Sequence, residues 1–229
     1  MPINRSPTDH HSIPMACTIC SIMGISTPAI SRISVVPLRF SAGVLAGGRS
    51  TRMGTDKSFL RVGGELLIER QLRYLREVGA VELLISGRGG VDYSSLRADV
   101  IYDQQADSGP LAGLAALLKA SSCSMMLILA VDMPGILPVM LNKILSRCTD
   151  NLGCVPVDDH GLQPLAAAYP TIAYSLAERC LRNGELSVQA FANQAFEQGL
   201  VQSLRIELSE RIYFTNWNQP SDWIAGPCG

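Results

Sequence analysis

The sequence of 229 residues is poor in histidine: it holds three, and two of them, His10 and His11, stand near its start. The third, His160, sits in the turn-like run Asp158-Asp159-His160-Gly161, where a solvated turn residue is the ordinary reading. No Ser–His or Cys–His pairing stands out, so hydrolysis through an activated nucleophile is poorly supported. Charged residues are scarce at 17%, against the usual ~25%. With 47% hydrophobic residues and a net charge of −1, the composition excludes a wholly disordered chain and argues against a protein built to coat nucleic acid. No uninterrupted apolar run reaches the roughly 18 residues that cross a membrane. The seven cysteines are odd in number and scattered, which makes no disulfide scaffold and suits buried or idle thiols in a reducing compartment. Cys17 and Cys20 form one CxxC. It lacks the second pair of a zinc site and the strand–helix setting of a redox motif.

Charge is unevenly placed. Residues 1–55 carry five arginines against one acid, Asp9, whereas the remainder is net acidic. The first 42 residues are rich in Ser, Pro and Thr without sustained period, so residues 1–39 are expected to form a poorly ordered extension and residues 40–229 the folded domain. A transit peptide, a weak signal-peptide core and a start codon placed too early compete for the extension. The last fits best, with Met15 or Met23 as the true start, because the first strand begins only near Pro37.

From residue 38 onward, apolar strand-like runs alternate with helical periods. Strands are expected at Leu38–Leu45, Val81–Ser86, Asp99–Asp103 and Ser124–Val131, the last an uncharged run suited to a central buried strand. Helices are expected at Glu65–Val78, where Gly79 is the stop, at Leu111–Ala120 behind Pro110, and at Ile136–Cys148. Gly153–Val157 and Leu162–Tyr169 flank the Asp158–Gly161 turn as a hairpin, which makes one strand or edge antiparallel. Helices at Thr171–Arg182 and Ser187–Gln198 and short strands at Val201–Leu208 and Tyr213–Thr215 complete the reading. The alternation predicts an α/β fold with a mostly parallel sheet.

Ligands of open α/β sheets bind at the carboxyl ends of the strands, so the polar residues there are the candidates. After the first strand comes Gly47-Gly48-Arg49-Ser50-Thr51-Arg52-Met53-Gly54-Thr55-Asp56-Lys57. Gly47 and Gly48 let the backbone approach a bound group and turn N–H donors toward it, and Arg52 and Lys57 add positive charge, which suits a phosphate-bearing ligand. The loop is neither a Walker A motif nor GxGxxG, which lowers P-loop and ordinary NAD enzymes. Ser86 ends the second strand, Asp103 the third and Asp132 the central one. Asp103 is either a partner of a sugar hydroxyl or base donor, or a solvated acid. Asp132, before Met133-Pro134-Gly135, is either an N-cap for the next helix or the carboxylate of a divalent cation. A neighbouring phosphate loop favours the cation.

The run Leu45-Ala46-Gly47-Gly48-Arg49-Ser50-Thr51-Arg52-Met53-Gly54-Thr55-Asp56-Lys57 resembles the signature LAGGxSxRMGxDK of the molybdopterin-guanine dinucleotide synthesis family of nucleotidyltransferases. Asp103, Gly109-Pro110-Leu111-Ala112-Gly113, Val131-Asp132-Met133-Pro134, Gln163-Pro164-Leu165 and Asn216-Trp217-Asn218-Gln219-Pro220 follow in the family's order, so the likeness covers about residues 40–225. The resemblance implies a Rossmann-like nucleotidyltransferase fold, a three-layer sandwich, in a cytoplasmic enzyme that needs Mg²⁺. The implied reaction moves GMP from GTP to the terminal phosphate of molybdenum-bound molybdopterin and releases pyrophosphate.

By motif position, Leu45, Ala46, Gly47, Gly48 and Lys57 would hold the base and phosphates, with Arg52 and Lys57 supplying catalytic charge. Ser86 and Asp103 would contact the nucleoside, Asp132 would bind Mg²⁺, and Asn216 and Asn218 would lie toward the pterin. Implied partners are GTP, molybdenum-molybdopterin and the molybdoenzymes or chaperones that receive the cofactor; nucleic acid and membrane are not expected. The rivals are a CTP-dependent cytidylyltransferase of the same fold, whose loop tends to read LAAG, and a GTP-binding module without catalysis. A sugar-1-phosphate nucleotidyltransferase would read closer to LAGGxGTRL.

Overall fold

The computed structural model of the chain describes residues 38–47, 59–102 and 109–216. The expected N-terminal extension falls almost wholly outside these, as do residues 48–58 of the Gly-rich loop, Asp103 and residues 217–229.

In chain order the described elements are β1 (Phe40–Leu45), a small hairpin of β2 (Arg61–Val62) and β3 (Glu65–Leu66), α1 (Leu67–Glu77), β4 (Glu82–Gly87) and β5 (Asp99–Tyr102). Then come α2 (Gly109–Ala120), β6 (Met125–Ala130), α3 (Pro138–Leu145), β7 (Gly153–Asp158), β8 (Gly161–Leu162) and β9 (Ala166–Pro170). α4 (Tyr174–Arg182), α5 (Val188–Glu197), β10 (Val201–Arg205) and a 3₁₀ segment (Leu208–Phe214) end the series. The main sheet runs β5-β4-β1-β6-β9-β7-β10, with β8 paired to β7. β1 is parallel to β4 and β6, β4 to β5, and β7 to β10. β9 alone along this path is antiparallel to both its neighbours, β6 and β7. Because β9 reverses twice, β6 and β7 point the same way, and the carboxyl ends of β5, β4, β1, β6, β7 and β10 share one edge of the sheet.

Side chains of a strand alternate between faces, and this alternation builds the two outer layers. Phe40, Ala42 and Val44 of β1, with Met125, Leu127 and Leu129 of β6, join a core that includes Leu72 and Leu75 of α1 and Met140, Leu141 and Ile144 of α3. Met126 and Ile128 face the other way, onto Leu111, Leu114 and Leu117 of α2 and onto Leu176 of α4 and Phe191 of α5. Gly43 lies on this second face because α2 comes close there: a Cβ at Gly43 would stand 2.6 Å from Leu117 Cδ1. The result is three layers about a mostly parallel sheet, as the alternation of runs predicted.

Several boundaries differ from expectation. A hairpin of β2 and β3 precedes α1 where the helical period at Glu65 predicts helix; Gly63 and Gly64, with φ of 59° and 88°, make its turn. The run Leu162–Tyr169 is two strands: the Gln163 amide still donates to Pro156 O of β7 at 2.7 Å, the pairing breaks at Pro164, which has no amide hydrogen, and the chain resumes as β9 between β7 and β6. The antiparallel strand β9 therefore lies inside the sheet, where its small residues Ala166, Ala167 and Ala168 are fully buried. Tyr213–Thr215 is not a strand: the chain coils as a 3₁₀ segment up to Phe214, whose ring reaches the core.

Candidate active site

The candidate site is the edge where the parallel strands end. In the registers, Leu45 of β1 is level with Ser86 of β4 and Ala130 of β6. Beyond β1 the Ala46 and Gly47 amides both donate to the Ser86 carbonyl, at 3.0 and 3.1 Å. Gly47 N–H is thus engaged inside the protein and does not face a ligand, which corrects that part of the loop reading. Its work is to start the loop at a fixed angle. The loop's far end is also tethered: Phe59 stacks on Tyr93 with ring centroids 6.1 Å apart. The buried Tyr93 accepts a hydrogen bond from the Arg88 amide just past β4. Both ends of the segment that carries Gly48, Arg52 and Lys57 are therefore held at the carboxyl end of β4. Those three residues lie outside the described residues.

Helix α2 enters this edge with its N-terminus, a position that favours anions. Gly109 opens it with φ of 70°, and Gly113 lets it press against the strand ends. A Cβ at Gly113 would stand 2.5 Å from Ser86 Oγ and 3.0 Å from a methyl of Leu45. Leu45 and Ser86 are consequently buried beneath α2, so the visible contribution of Ser86 is its backbone carbonyl. Asp103, between β5 and α2, lies outside the described residues.

Asp132 follows β6. The Val131 amide donates to the Leu45 carbonyl at 3.1 Å, so the parallel register continues one step past the strands and brings Asp132 beside the start of the β1 loop. Asp132 is half-buried. It is not the N-cap of the next helix: α3 starts six residues later at Pro138, with Leu137 in the N-cap position. That removes the capping alternative for its carboxylate. Among the described residues no three His, Cys, Asp or Glu side chains cluster as metal ligands. A single carboxylate fits a Mg²⁺ ion that takes its remaining ligands from substrate phosphates and water, the usual habit of that ion.

The other half of the edge is built around the same loop. The Ala130 amide donates to Leu165 O at 2.7 Å. Tyr169 donates its hydroxyl to Pro164 O at 3.0 Å, and burial pushes its ionisation far above the ordinary range, so it stays a donor. These bonds set the Gln163-Pro164-Leu165 turn next to the end of β6. The 3₁₀ segment closes this side. Lys143 of α3 pairs with Glu210 at 2.6 Å. Asp159, in the β7–β8 turn, holds Arg205 at 2.8 Å and also Arg211. Lys143 keeps the Glu210 carboxyl below its usual range, and Arg211 does the same for Asp159. Asn216, two residues past the end of the segment, is exposed; Asn218 lies outside the described residues. One residue that sequence reasoning passed over is Gln71 of α1, which donates to the Met133 carbonyl at 2.8 Å. Its signal was a polar residue at i+3 in the apolar stripe of Ile68, Leu72 and Leu75.

Residues 42–204 match a family described as "MobA-like NTP transferase domain". A protein of Opitutus terrae named "Probable molybdenum cofactor guanylyltransferase" is 40% identical over 182 residues, 78% of this chain and 90% of that one. The molybdenum cofactor guanylyltransferase of Xanthomonas euvesicatoria is 32% identical over 79% of this chain and 90% of its own. Among solved structures, the molybdopterin-guanine dinucleotide biosynthesis protein A of Archaeoglobus fulgidus superposes with a TM-score of 0.64 at 25% identity, over 81% of this chain and 95% of that one. A 2-C-methyl-D-erythritol 4-phosphate cytidylyltransferase of Thermus thermophilus shares the fold, with a TM-score of 0.63 at 20% identity over 82% and 96% of the two chains.

Proposed function

The chain belongs to the family of MobA-like NTP transferases, and from that premise we propose that it transfers GMP from GTP to the terminal phosphate of molybdenum-bound molybdopterin and releases pyrophosphate. The observation that carries this reading is the meeting of the β1 loop with Asp132 at the carboxyl edge, the two flanks tied by the Val131–Leu45 bond.

The reaction asks little covalent chemistry of the protein. The attacking phosphate is already ionised, so the scarcity of histidine is no obstacle. Nucleotidyl transfer depends on positioning and on stabilising charge that builds at the α-phosphate and the departing pyrophosphate. We assign Arg52 and Lys57 to that charge, Leu45, Ala46, Gly47 and Gly48 to shaping the nucleotide pocket, and Asp103 to its nucleoside side; Ser86, buried beneath α2, serves by anchoring the start of the loop through its carbonyl rather than by touching the nucleoside. Asp132 would hold Mg²⁺, which when bound neutralises phosphate charge. Asn216 and Asn218 belong to the acceptor side, where the 3₁₀ segment brings the chain back to the loop after Asp132. Among the described residues no helix is long and apolar enough to cross a membrane. We place the enzyme in the cytoplasm, handing its product to molybdoenzymes or their chaperones.

Thermal unfolding with GTP, CTP or ATP, each with and without Mg²⁺, tests the nucleotide. A ligand at a hundred times its dissociation constant adds about 2.7 kcal/mol, several degrees for a domain of this size. A GTP-selective, Mg²⁺-dependent shift followed by pyrophosphate release on adding molybdenum-molybdopterin is the expected result. A CTP-selective shift would change the product, and a GTP shift without pyrophosphate release would leave a binding module.

A further inference from the structure

Gln71 is fully buried, with none of its surface exposed. It stands on the core stripe of α1 among Ile68, Leu72 and Leu75, each 1% exposed or less. Its Nε2 donates to the Met133 carbonyl at 2.8 Å, while its Oε1 has no hydrogen-bond partner among the described residues. A primary amide with one end unpaired is a poor choice for core stability, because the orphaned oxygen loses its water and gains nothing. An apolar side chain of similar length would avoid that loss. What it could not supply is the bond to Met133.

That bond matters because of where Met133 lies. Its neighbour Asp132 is bracketed by two tertiary hydrogen bonds. On one flank the Val131 amide is tied to Leu45 of β1 at 3.1 Å, and on the other the Met133 carbonyl is tied to Gln71 of α1. Met133 also accepts a turn bond from the Ile136 amide, at 3.3 Å, but that partner belongs to the same loop and moves with it. Among the described residues, Gln71 is the partner that ties the Met133 carbonyl to an element outside its own loop. α1 is also the helix that follows the β1 loop and the β2–β3 hairpin, so this bond connects the backbone next to Asp132 to the element downstream of that loop.

We propose that Gln71 is a positioning residue for nucleotidyl transfer: by holding the Met133 carbonyl it fixes the backbone that aims Asp132 at the nucleotide. The proposal rests on the transfer reaction assigned above. It separates Gln71 from an ordinary core residue, because function and stability are expected to respond in opposite directions.

The test uses the full chain with Gln71→Met and, in parallel, Gln71→Leu, so that one poorly packed variant does not decide the matter. The melting temperature is expected to stay at or above that of the wild type. The turnover number for GMP transfer is expected to fall by about tenfold or more, with KM for GTP moving by less than about twofold, since misplacement by a fraction of an ångström acts on the reacting geometry. In the ligand-free protein, amide exchange at Asp132, Met133, Gly135 and Ile136 is expected to speed up while α1 itself stays protected. Turnover within about twofold of the wild type with stability kept, or an activity loss that tracks a fall in melting temperature in both variants, overturns the proposal. A wild type that transfers no GMP would remove the reaction, whereas the exchange measurement would still report on the Gln71 clamp.

Discussion

Gly135 packs so tightly under the backbone of Ile212 that a Cβ there would overlap the Ile212 carbonyl oxygen. The loop after Asp132 and the 3₁₀ segment that leads to Asn216 are thereby one packed unit, although 77 positions separate these two residues in the chain. Replacement by alanine must push the segment away, because the obstacle is backbone and cannot rotate aside. Gly135→Ala is expected to destabilise the protein by about 1–3 kcal/mol, the usual cost of overpacking, and to raise KM for the pterin acceptor more than KM for GTP. Denaturant titration and steady-state kinetics with each substrate varied in turn check the two halves of this prediction.

Asp132→Asn preserves shape and hydrogen-bonding capacity but removes the charge. Turnover is expected to drop by roughly a hundredfold or more, the scale of losing one main electrostatic contributor, with the melting temperature of the apo protein little changed. A titration of rate against Mg²⁺ decides the point: full, Mg²⁺-dependent transfer by the variant would remove the metal assignment.

Glu210 gives the 3₁₀ segment a pH dependence. Its folded carboxyl is held below the ordinary value of 4.5 by the hydrogen bond from Lys143, with help from the Glu207 amide. A depressed carboxyl contributes stability that is present above the unfolded value and is lost as pH falls through the folded one. The melting temperature of Glu210→Gln should therefore lie below the wild type by a constant margin at neutral pH. That margin should shrink once pH drops under 4.5. A margin that persists at low pH would mean that the ion pair is not its source.

The thiols of Cys148 and Cys154 are expected to be inert in the folded protein. Burial, with the neighbouring Cys154, pushes Cys148 up to about 12, and burial pushes Cys154 up to about 11. At pH 8 neither supplies appreciable thiolate, the reactive form. Peptide mapping after iodoacetamide should find both unmodified in native protein and alkylated in urea; rapid labelling of the native protein would contradict this burial.

The sequence alone determined the alternating strands and helices, the buried parallel core and the loop after β1. Each of these is written in local periodicity or in a short run of Gly, Arg and Lys, and contiguous residues suffice to specify it. It also supplied the order of Asp103, Asp132 and the Asn216 motif. Tertiary structure decided what lies beside what. Whether Asp132 caps α3 turns on a helix start six residues away, and whether β9 lies at an edge turns on which strands its alanines can separate. Gly47 directs its amide to Ser86 because the register of two strands, paired at positions 41 residues apart, sets the carbonyl there. Gln71 is one polar residue in an apolar stripe, and the carbonyl it holds lies 62 positions further along the chain. Such pairings depend on the closure of long loops and on packing summed over many side chains, and no local pattern encodes them.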